Sequence, residues 1–212
     1  MRTEDKERIN QRYAERLAKY GATVESLALG GKERQYLRFD VLCGVSDLNG
    51  KSILDVGCGF GDLVAFLEER GIRFKEYVGV DINPELIAEA ERRHGTKENV
   101  RFAVQDVTEE GFDERFDIVV AGSVFNNRLS EENMQFIERI LPRLFRIAKE
   151  GVAINFMTDY VDFKSPDVYH YSPEKVFAVC KRLTKRVALR HDYPLYDFAV
   201  YLYPDFTPWR AP

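Results

Sequence analysis

The sequence predicts an α/β fold in which helices cover both faces of one mostly parallel, seven-stranded sheet, giving a three-layer sandwich. From about Lys51 onward, extended apolar runs alternate with amphipathic helical patterns, which is typical of parallel strands joined by helices. The last two extended runs are separated by too few residues for a crossover helix, so they must form an antiparallel hairpin. At 212 residues and 45% apolar content, the chain can bury one core, and we predict a single domain over residues 1–212.

The first half of the predicted core, from residue 51, alternates three strands with two helices. Asn83 can cap the second of these helices and Pro84 suits its first position. The predicted strands cover residues 51–56, 77–82 and 100–107, and the helices cover residues 62–69 and 85–94.

The second half contains the remaining four strands and two more helices. Ser130 is predicted to cap a long helix that Pro142 should kink or split, and Ser172 with Pro173 begins the other helix. The predicted strands cover residues 116–123, 151–157, 186–193 and 197–204, and the helices cover residues 131–149 and 174–183.

Composition narrows the functional classes. A net charge of -4 gives no global basic field, so nucleic acid is an unlikely main partner and a small neutral or positively charged substrate fits better. The three cysteines lie far apart without CxxC spacing, which predicts neither disulfides nor a metal site and indicates a reducing compartment. Without a signal-like or membrane-spanning apolar stretch, the sequence predicts a cytoplasmic protein with no membrane partner. It leaves the oligomeric state open.

The stretch SILDVGCGFGDL, residues 52–63, carries the strongest functional signal. Gly57, Gly59 and Gly61 follow the first strand and let the backbone turn tightly and approach a ligand, although a tight turn alone would also explain them. Asp81 ends the second strand about twenty residues later, where a carboxylate can accept hydrogen bonds from both ribose hydroxyls. Asp106 ends the third predicted strand, where it could accept a hydrogen bond from an adenine edge.

A nicotinamide or flavin oxidoreductase is the main alternative, because its dinucleotide also binds at a glycine-rich turn. Its motif is GxGxxG, whereas this sequence has GxGxG with Asp62 at the position of the third glycine. Asp62 at a helix start and Asp55 before the glycines would both repel a pyrophosphate. The two acids favour a cationic cofactor without phosphates.

Over residues 51–204 the chain resembles the class I S-adenosylmethionine-dependent methyltransferases, which have a Rossmann-like sheet that ends in an antiparallel hairpin. The resemblance implies S-adenosylmethionine as cofactor, with Asp81 on the ribose and Asp106 on the adenine. It places further cofactor contacts at Asp55, Gly57, Cys58, Gly59, Gly61, Ile82, Val107 and Gly122.

The resemblance does not define the methyl acceptor, because this fold serves many acceptors. In the family topology the sixth strand is parallel to the first five, which would bring His191 and Asp192 to the cofactor edge as a base and its orienting acid; a local hydrogen-bond network is the alternative. We predict a small-molecule acceptor, and the opposing hypothesis is a cofactor-binding sensor or partner subunit without catalysis. Candidate acceptor contacts are Tyr13, Tyr20, Asn126, Asn127, Tyr160, His170 and Tyr193.

The segment before the core, residues 1–50, contains two predicted helices. Ile9, Tyr13, Leu17 and Tyr20 recur at helical spacing, and residues 31–42 form a second helical pattern. In the family that the chain resembles, such helices commonly cover the cofactor as a lid. Packing on the outside of the sheet would explain the same pattern, so both interpretations stay open.

Overall fold

A computed structural model describes residues 1–109 and 114–204, and these residues form seven strands in one sheet. The strands are β1 (Ser52–Val56), β2 (Glu76–Asp81), β3 (Val100–Val104), β4 (Phe116–Ala121), β5 (Ala148–Met157), β6 (Arg186–Arg190) and β7 (Asp197–Tyr203). Their order across the sheet is β3-β2-β1-β4-β5-β7-β6. The first five strands pair in parallel, while β7 is antiparallel to both β5 and β6. The predicted fold class is confirmed.

Six α-helices and one short 3-10 helix accompany the sheet in the described residues. The helices are α1 (Thr3–Tyr20), α2 (Lys32–Cys43), α3 (Asp62–Glu69), α4 (Pro84–His94), α5 (Asn133–Ile147) and α6 (Pro173–Leu183), and the 3-10 helix is Val124–Asn126. As predicted, the Asn83 side chain accepts hydrogen bonds from the first turn of α4, and Ser172 caps α6.

The central strand β1 shows how the three layers form, because all five of its residues are buried. Successive side chains of a strand point to opposite faces. Leu54 therefore joins the core under α5 and α6, whereas Ile53 joins the core under α2 and α3. With both faces covered, the sheet offers a ligand its carboxyl edge, where the loops after the parallel strands meet.

Several predicted boundaries were wrong. β3 ends at Val104, and a turn begins at Asp106, whose side chain accepts a hydrogen bond from the Thr108 backbone N–H. β6 ends at Arg190, so His191 lies beyond the strand.

The long helix α5 also differs from its prediction. It begins at Asn133, and the side chain of the N-cap residue Glu132 accepts a hydrogen bond from the Gln135 backbone N–H. Ser130, the predicted cap, instead donates its hydrogen bonds to Asp5. Pro142 lies inside one uninterrupted helix. Buried neighbours of Pro142, such as Leu141 and Leu144, hold the helix against the sheet, and this packing outweighs the helix-breaking tendency of proline.

Residues 110–113 and 205–212 of the predicted single domain lie outside the described residues. Across the part that the structure describes, no helix is both long enough and apolar enough to span a membrane.

Candidate active site

The glycine loop after β1 has left-handed backbone at all three glycines, with φ values of 73°, 56° and 72° at Gly57, Gly59 and Gly61. A Cβ at Gly57 would overlap Val124, and one at Gly61 would lie 2.7 Å from Phe102, so both glycines permit close packing within the protein. A Cβ at Gly59 would meet only Leu27, at 3.4 Å. Gly57 and Gly59 line a cavity, whereas Gly61 does not.

This cavity, of about 200 Å³, lies at the carboxyl edge of the sheet. Its walls come from the glycine loop, the residues after β2, β3 and β4, and both N-terminal helices. Most of the predicted cofactor residues line it: Asp55, Gly57, Cys58, Gly59, Asp81, Ile82, Asp106, Val107 and Gly122.

Asp55 lies just before the glycine loop in the sequence, and Asp81 contacts the loop. Asp55 is 5% exposed and accepts a hydrogen bond from the Tyr77 hydroxyl at 2.6 Å, and burial raises its pKa to about 7. Asp81 accepts hydrogen bonds from the backbone N–H groups of Gly59 at 3.1 Å and Asn83 at 3.0 Å. Burial raises the pKa of Asp81 as well, although these hydrogen bonds oppose the shift. Asp81 therefore ties the glycine loop to the end of β2.

Asp106 has a different environment, because a cation already contacts it. Lys6 of α1 lies 2.7 Å from the Asp106 carboxylate, and the Thr108 backbone N–H donates to it at 2.8 Å. Burial alone would raise the pKa of Asp106, but the hydrogen bonds from Lys6 and Thr108 hold it below its ordinary value. No sequence pattern predicts this pairing between residues one hundred positions apart.

Helix α1 crosses the cavity, to which Ile9, Arg12 and Tyr13 contribute side chains. Its anchor is Asp5, which is 1% exposed and accepts hydrogen bonds from the Ser130 backbone N–H at 3.0 Å and hydroxyl at 2.8 Å. Helix α2 instead packs on the sheet, although Gln35, Arg38 and Phe39 reach the cavity. Helix α2 thus packs on the outside of the sheet, and a lid function of α1 stays a prediction.

The residues after β4 form the side of the cavity away from β2 and β3. Asn126 accepts a hydrogen bond from the Met157 backbone N–H at 2.9 Å, and Asn127 accepts one from the Arg12 guanidinium at 3.1 Å. Together with Tyr13, these two asparagines are the predicted acceptor contacts that the structure brings to the cavity.

The predicted pair His191 and Asp192 does not lie in this cavity. Both residues are exposed, and Asp192 accepts its hydrogen bonds from Arg190 at 3.0 and 3.1 Å rather than from His191. His191 and Tyr160 line a separate surface hollow, with ring centroids 6.0 Å apart. The prediction that Asp192 orients His191 at the cofactor edge was wrong, because β6 ends before His191 and the arginine competes for the carboxylate.

Three other predicted acceptor contacts also lie elsewhere. Tyr20 is exposed at the end of α1, beside Lys19. His170 is half-buried, and burial lowers its pKa. Tyr193 is buried with a hydroxyl that has no partner among the described residues, and burial raises its pKa. None of the three lines the cavity.

Two arginines at the cavity were not predicted. Arg38 is ion-paired with Asp197, which is 1% exposed, and donates to the Leu29 carbonyl at 2.7 Å. Arg12 lies one helical turn after the buried Ile9, so its place on the inner face of α1 could have been inferred from the spacing.

Residues 1–109 and 114–204 contain no cluster of side chains suited to a metal ion.

Comparison with known proteins identifies the family. A profile described as "Methyltransferase domain" matches residues 53–151. A protein of Mycobacterium tuberculosis, whose name assigns methyltransferase activity without an acceptor, is 35% identical over 155 residues, covering 70% of this chain and 90% of the relative. This chain belongs to the class I S-adenosylmethionine-dependent methyltransferases. It is an enzyme whose cofactor is S-adenosylmethionine.

Solved structures show the same fold in other methyltransferases. Magnesium protoporphyrin IX methyltransferase from Synechocystis, crystallised with S-adenosylhomocysteine, aligns with a TM-score of 0.61 at 15% identity, covering 79% of this chain and 83% of that one. A methyltransferase from Clostridium acetobutylicum aligns with a TM-score of 0.58 at 15% identity, covering 80% and 91%. At this identity the likeness concerns the fold alone.

Proposed function

We propose that this methyltransferase binds its cofactor along the carboxyl edge of β1, β2 and β3, and a small-molecule acceptor between α1 and the residues after β4. The observation that carries the proposal is that one cavity brings together Gly59, the three carboxylates Asp55, Asp81 and Asp106, and apolar walls beneath α1. The residues at and after the ends of β1, β2, β3 and β4, together with the N-terminal helices, build this cavity, and its few polar groups among apolar walls suit a small-molecule site.

The residues on the cofactor side fit S-adenosylmethionine. The two oxygens of Asp81 would accept hydrogen bonds from the ribose hydroxyls, and the ionised form of Asp55 favours the nearby positive charge of the methionine portion. Ile82 and Val107 supply apolar contacts for adenine. Asp106 could accept a hydrogen bond from the adenine amino group once Lys6 moves aside. Because Gly59 has no side chain, the backbone there can approach the ligand closely. Gly57, Cys58 and Gly122 form the adjoining parts of the cavity wall.

In this proposal Cys58 forms part of the cavity wall and does not act as a nucleophile. It is buried, and burial raises the pKa of its thiol well above the ordinary value. The thiol therefore stays neutral near pH 7, and a neutral thiol is a weak nucleophile.

The bound cofactor supplies an already activated methyl group. The chain's own task is to align the acceptor, exclude water and leave the nucleophilic atom free. Ile9, Phe136 and Met157 provide apolar walls on the acceptor side. No histidine or lysine lines the described cavity, and burial raises the pKa of Tyr13, which makes that hydroxyl harder to ionise. Alignment and desolvation are therefore the chain's main contributions.

Calorimetric titration with S-adenosylmethionine, S-adenosylhomocysteine and NADH tests this proposal. We expect both sulfur compounds to bind with one-to-one stoichiometry and NADH not to bind. Binding of NADH alone would contradict the assigned site. Cofactor binding without methyl transfer to any small molecule, but with transfer to a macromolecule, would contradict the acceptor class.

A further inference from the structure

Arg12 is an arginine of the cavity whose charge no carboxylate of residues 1–109 and 114–204 balances. It is half-buried on the inner face of α1, and its guanidinium donates a hydrogen bond to the Asn127 side chain at 3.1 Å. Asn127 is neutral, and no carboxylate among residues 1–109 and 114–204 forms an ion pair with Arg12. A partly desolvated guanidinium in such a place favours an anionic ligand.

The neighbouring arginines have protein partners, which makes Arg12 distinctive. Arg8 on the same helix is 2.8 Å from the buried Asp5, and Arg38 on the other side of the cavity pairs with Asp197. Arg16, one turn after Arg12, donates to the Ser26 carbonyl at 2.8 Å and does not line the cavity. Arg12 alone among these four presents an unpaired charge to the cavity.

The cavity around Arg12 also indicates the chemistry of the ligand. The walls there are apolar and consist mainly of Ile9, Leu129, Phe136, Met157 and Val168. One unpaired guanidinium balances one negative charge, and its planar fork matches a carboxylate. An organic acid with an apolar body satisfies both features.

The lack of a base on the acceptor side of the described cavity indicates where the methyl group goes. An alcohol or a protonated amine must lose a proton on methylation, and the acceptor side of the described cavity offers no histidine, lysine or carboxylate to take it. A carboxylic acid is already deprotonated near pH 7, so its oxygen can attack without a base.

Resting on the proposed function, we infer that the methyl acceptor is an apolar carboxylic acid, that Arg12 binds its carboxylate, and that the product is a methyl ester. One carboxylate oxygen forms the new C–O bond to the methyl carbon while the S–C bond breaks and its electron pair remains on sulfur. No proton moves, and the negative carboxylate and positive sulfonium become two neutral groups. Arg12 then lacks a charged partner, which favours release of the ester.

Binding of matched probes to the S-adenosylhomocysteine complex tests this assignment without turnover. We would compare octanoate with octanamide, and phenylacetate with phenylacetamide, by calorimetry. Each acid should bind about tenfold more tightly than its amide, because the guanidinium contact is charge-assisted. Arg12→Gln should abolish this preference and Arg12→Lys should restore part of it. Acids that bind no better than their amides, including the case in which no probe binds, would overturn the inference.

Lys19→Gln is the matched control, since it removes one positive charge from the exposed end of the same helix. It should leave the acid preference unchanged, and an equal loss in this variant would overturn a specific role for Arg12. Affinity for S-adenosylhomocysteine should stay constant in all variants, which also shows that they fold.

A methyl-transfer assay then locates the product. With S-adenosylmethionine labelled in the methyl group, mild base should release the label from the product as methanol, as expected for an ester. The rate should fall roughly 10- to 100-fold in Arg12→Gln. Label in a base-stable product would overturn the ester assignment. If the wild-type protein fails to bind S-adenosylhomocysteine, the proposed function itself fails, which is a distinct result.

Discussion

The two sides of the cavity differ in how the chain builds them. On the cofactor side, Asp55 lies near the end of β1, the glycine loop follows it, and Asp81 ends β2. Hydrogen bonds within residues 55–83 hold both carboxylates in place, from the Tyr77 hydroxyl to Asp55 and from two backbone N–H groups to Asp81. On the acceptor side, Arg12 of α1 meets Asn127, and Asp5 meets Ser130, over separations of more than one hundred residues.

The glycine loop, Asp55 and Asp81 are therefore a local part of the cofactor site, whereas the pair of Asp106 with Lys6 and the acceptor side depend on the assembled chain. A change at the glycine loop, Asp55 or Asp81 should alter cofactor affinity without displacing helix α1. A change on the acceptor side should leave that affinity unaltered.

The largest effect is expected from Gly59→Val, which places a branched side chain on left-handed backbone at the cavity wall. Detectable binding of S-adenosylhomocysteine should be lost. Gly71→Val is the control, because Gly71 has a similar φ of 70° but open space around it. Both variants should lose roughly 1 to 3 kcal/mol of unfolding free energy. Equal cofactor affinity in the two variants would contradict the role of the loop.

Asp81→Ala should weaken cofactor binding by roughly 2 to 4 kcal/mol, since it removes charge-assisted hydrogen bonds to the ribose. Asp117→Ala provides the comparison, because Asp117 accepts hydrogen bonds from Ser52 at the opposite edge of the sheet. That variant should lose stability and keep its cofactor affinity. Unchanged calorimetric affinity in a folded Asp81→Ala protein would remove Asp81 from the site.

Asp55 should make cofactor binding depend on pH. Burial raises its pKa to about 7 despite the Tyr77 hydrogen bond, and the nearby Asp81 and Asp62 add to the shift. If the ionised form binds the cationic cofactor, affinity should rise about tenfold from pH 6 to pH 8. Asp55→Asn should flatten this profile, whereas a profile that falls with pH in the wild type would contradict the assignment.

The same shift predicts how the stability of the free protein responds to pH. The folded state binds the Asp55 proton more tightly than the unfolded state, whose pKa is near 3.8. The contribution of Asp55 to the unfolding free energy is therefore complete below about pH 4 and is lost as the pH rises through 7. Asp55→Asn should remove that loss, as measured by denaturant titration at pH 5 and pH 8.

A smaller effect is expected from Lys6→Ala, which frees Asp106 for adenine. Affinity for S-adenosylhomocysteine should rise roughly threefold, in keeping with the modest strength of a partly exposed ion pair. Lys51→Ala, which removes a pair with Glu150 away from the cavity, should change nothing. A weaker affinity in Lys6→Ala would show that Lys6 helps to bind the cofactor.

The smallest effect is expected from His191→Gln. His191 lies in the hollow beside Tyr160 and not in the cavity, so the maximal rate and its pH profile should stay within about twofold of the wild type. A fall of 100-fold, on the scale of a lost general base, would return His191 to the mechanism.

The sequence was sufficient for the fold, and most of the cofactor residues that it predicts line the cavity, because these signals are short-range. Strand periodicity, the glycine spacing and the acids at strand ends all lie within a few residues of the structure that they specify. The exceptions were boundaries: Asp106 begins a turn after β3 rather than ending the strand, and α5 continues through Pro142 because its side chains pack on the sheet.

The acceptor side could not be predicted in the same way. His191 was expected at the cofactor edge because the family topology implies the direction of β6. The sequence did not indicate that the strand ends at Arg190 or that Arg190 donates hydrogen bonds to Asp192. The pairing of Arg12 with Asn127, and of Lys6 with Asp106, depends on where α1 lies across the sheet edge. Helical periodicity identifies the inner face of α1 but not the surface that this face covers.

The separation of the two sides can be measured most directly by titrating S-adenosylhomocysteine into two variants, Asp81→Ala and Arg12→Gln, beside the wild-type protein. We predict that Asp81→Ala weakens binding by roughly 30-fold or more, using the strength of charge-assisted hydrogen bonds, whereas Arg12→Gln stays within about twofold. If Arg12→Gln weakens binding as much as Asp81→Ala does, Arg12 serves the cofactor, and the division of the cavity into two sides is contradicted.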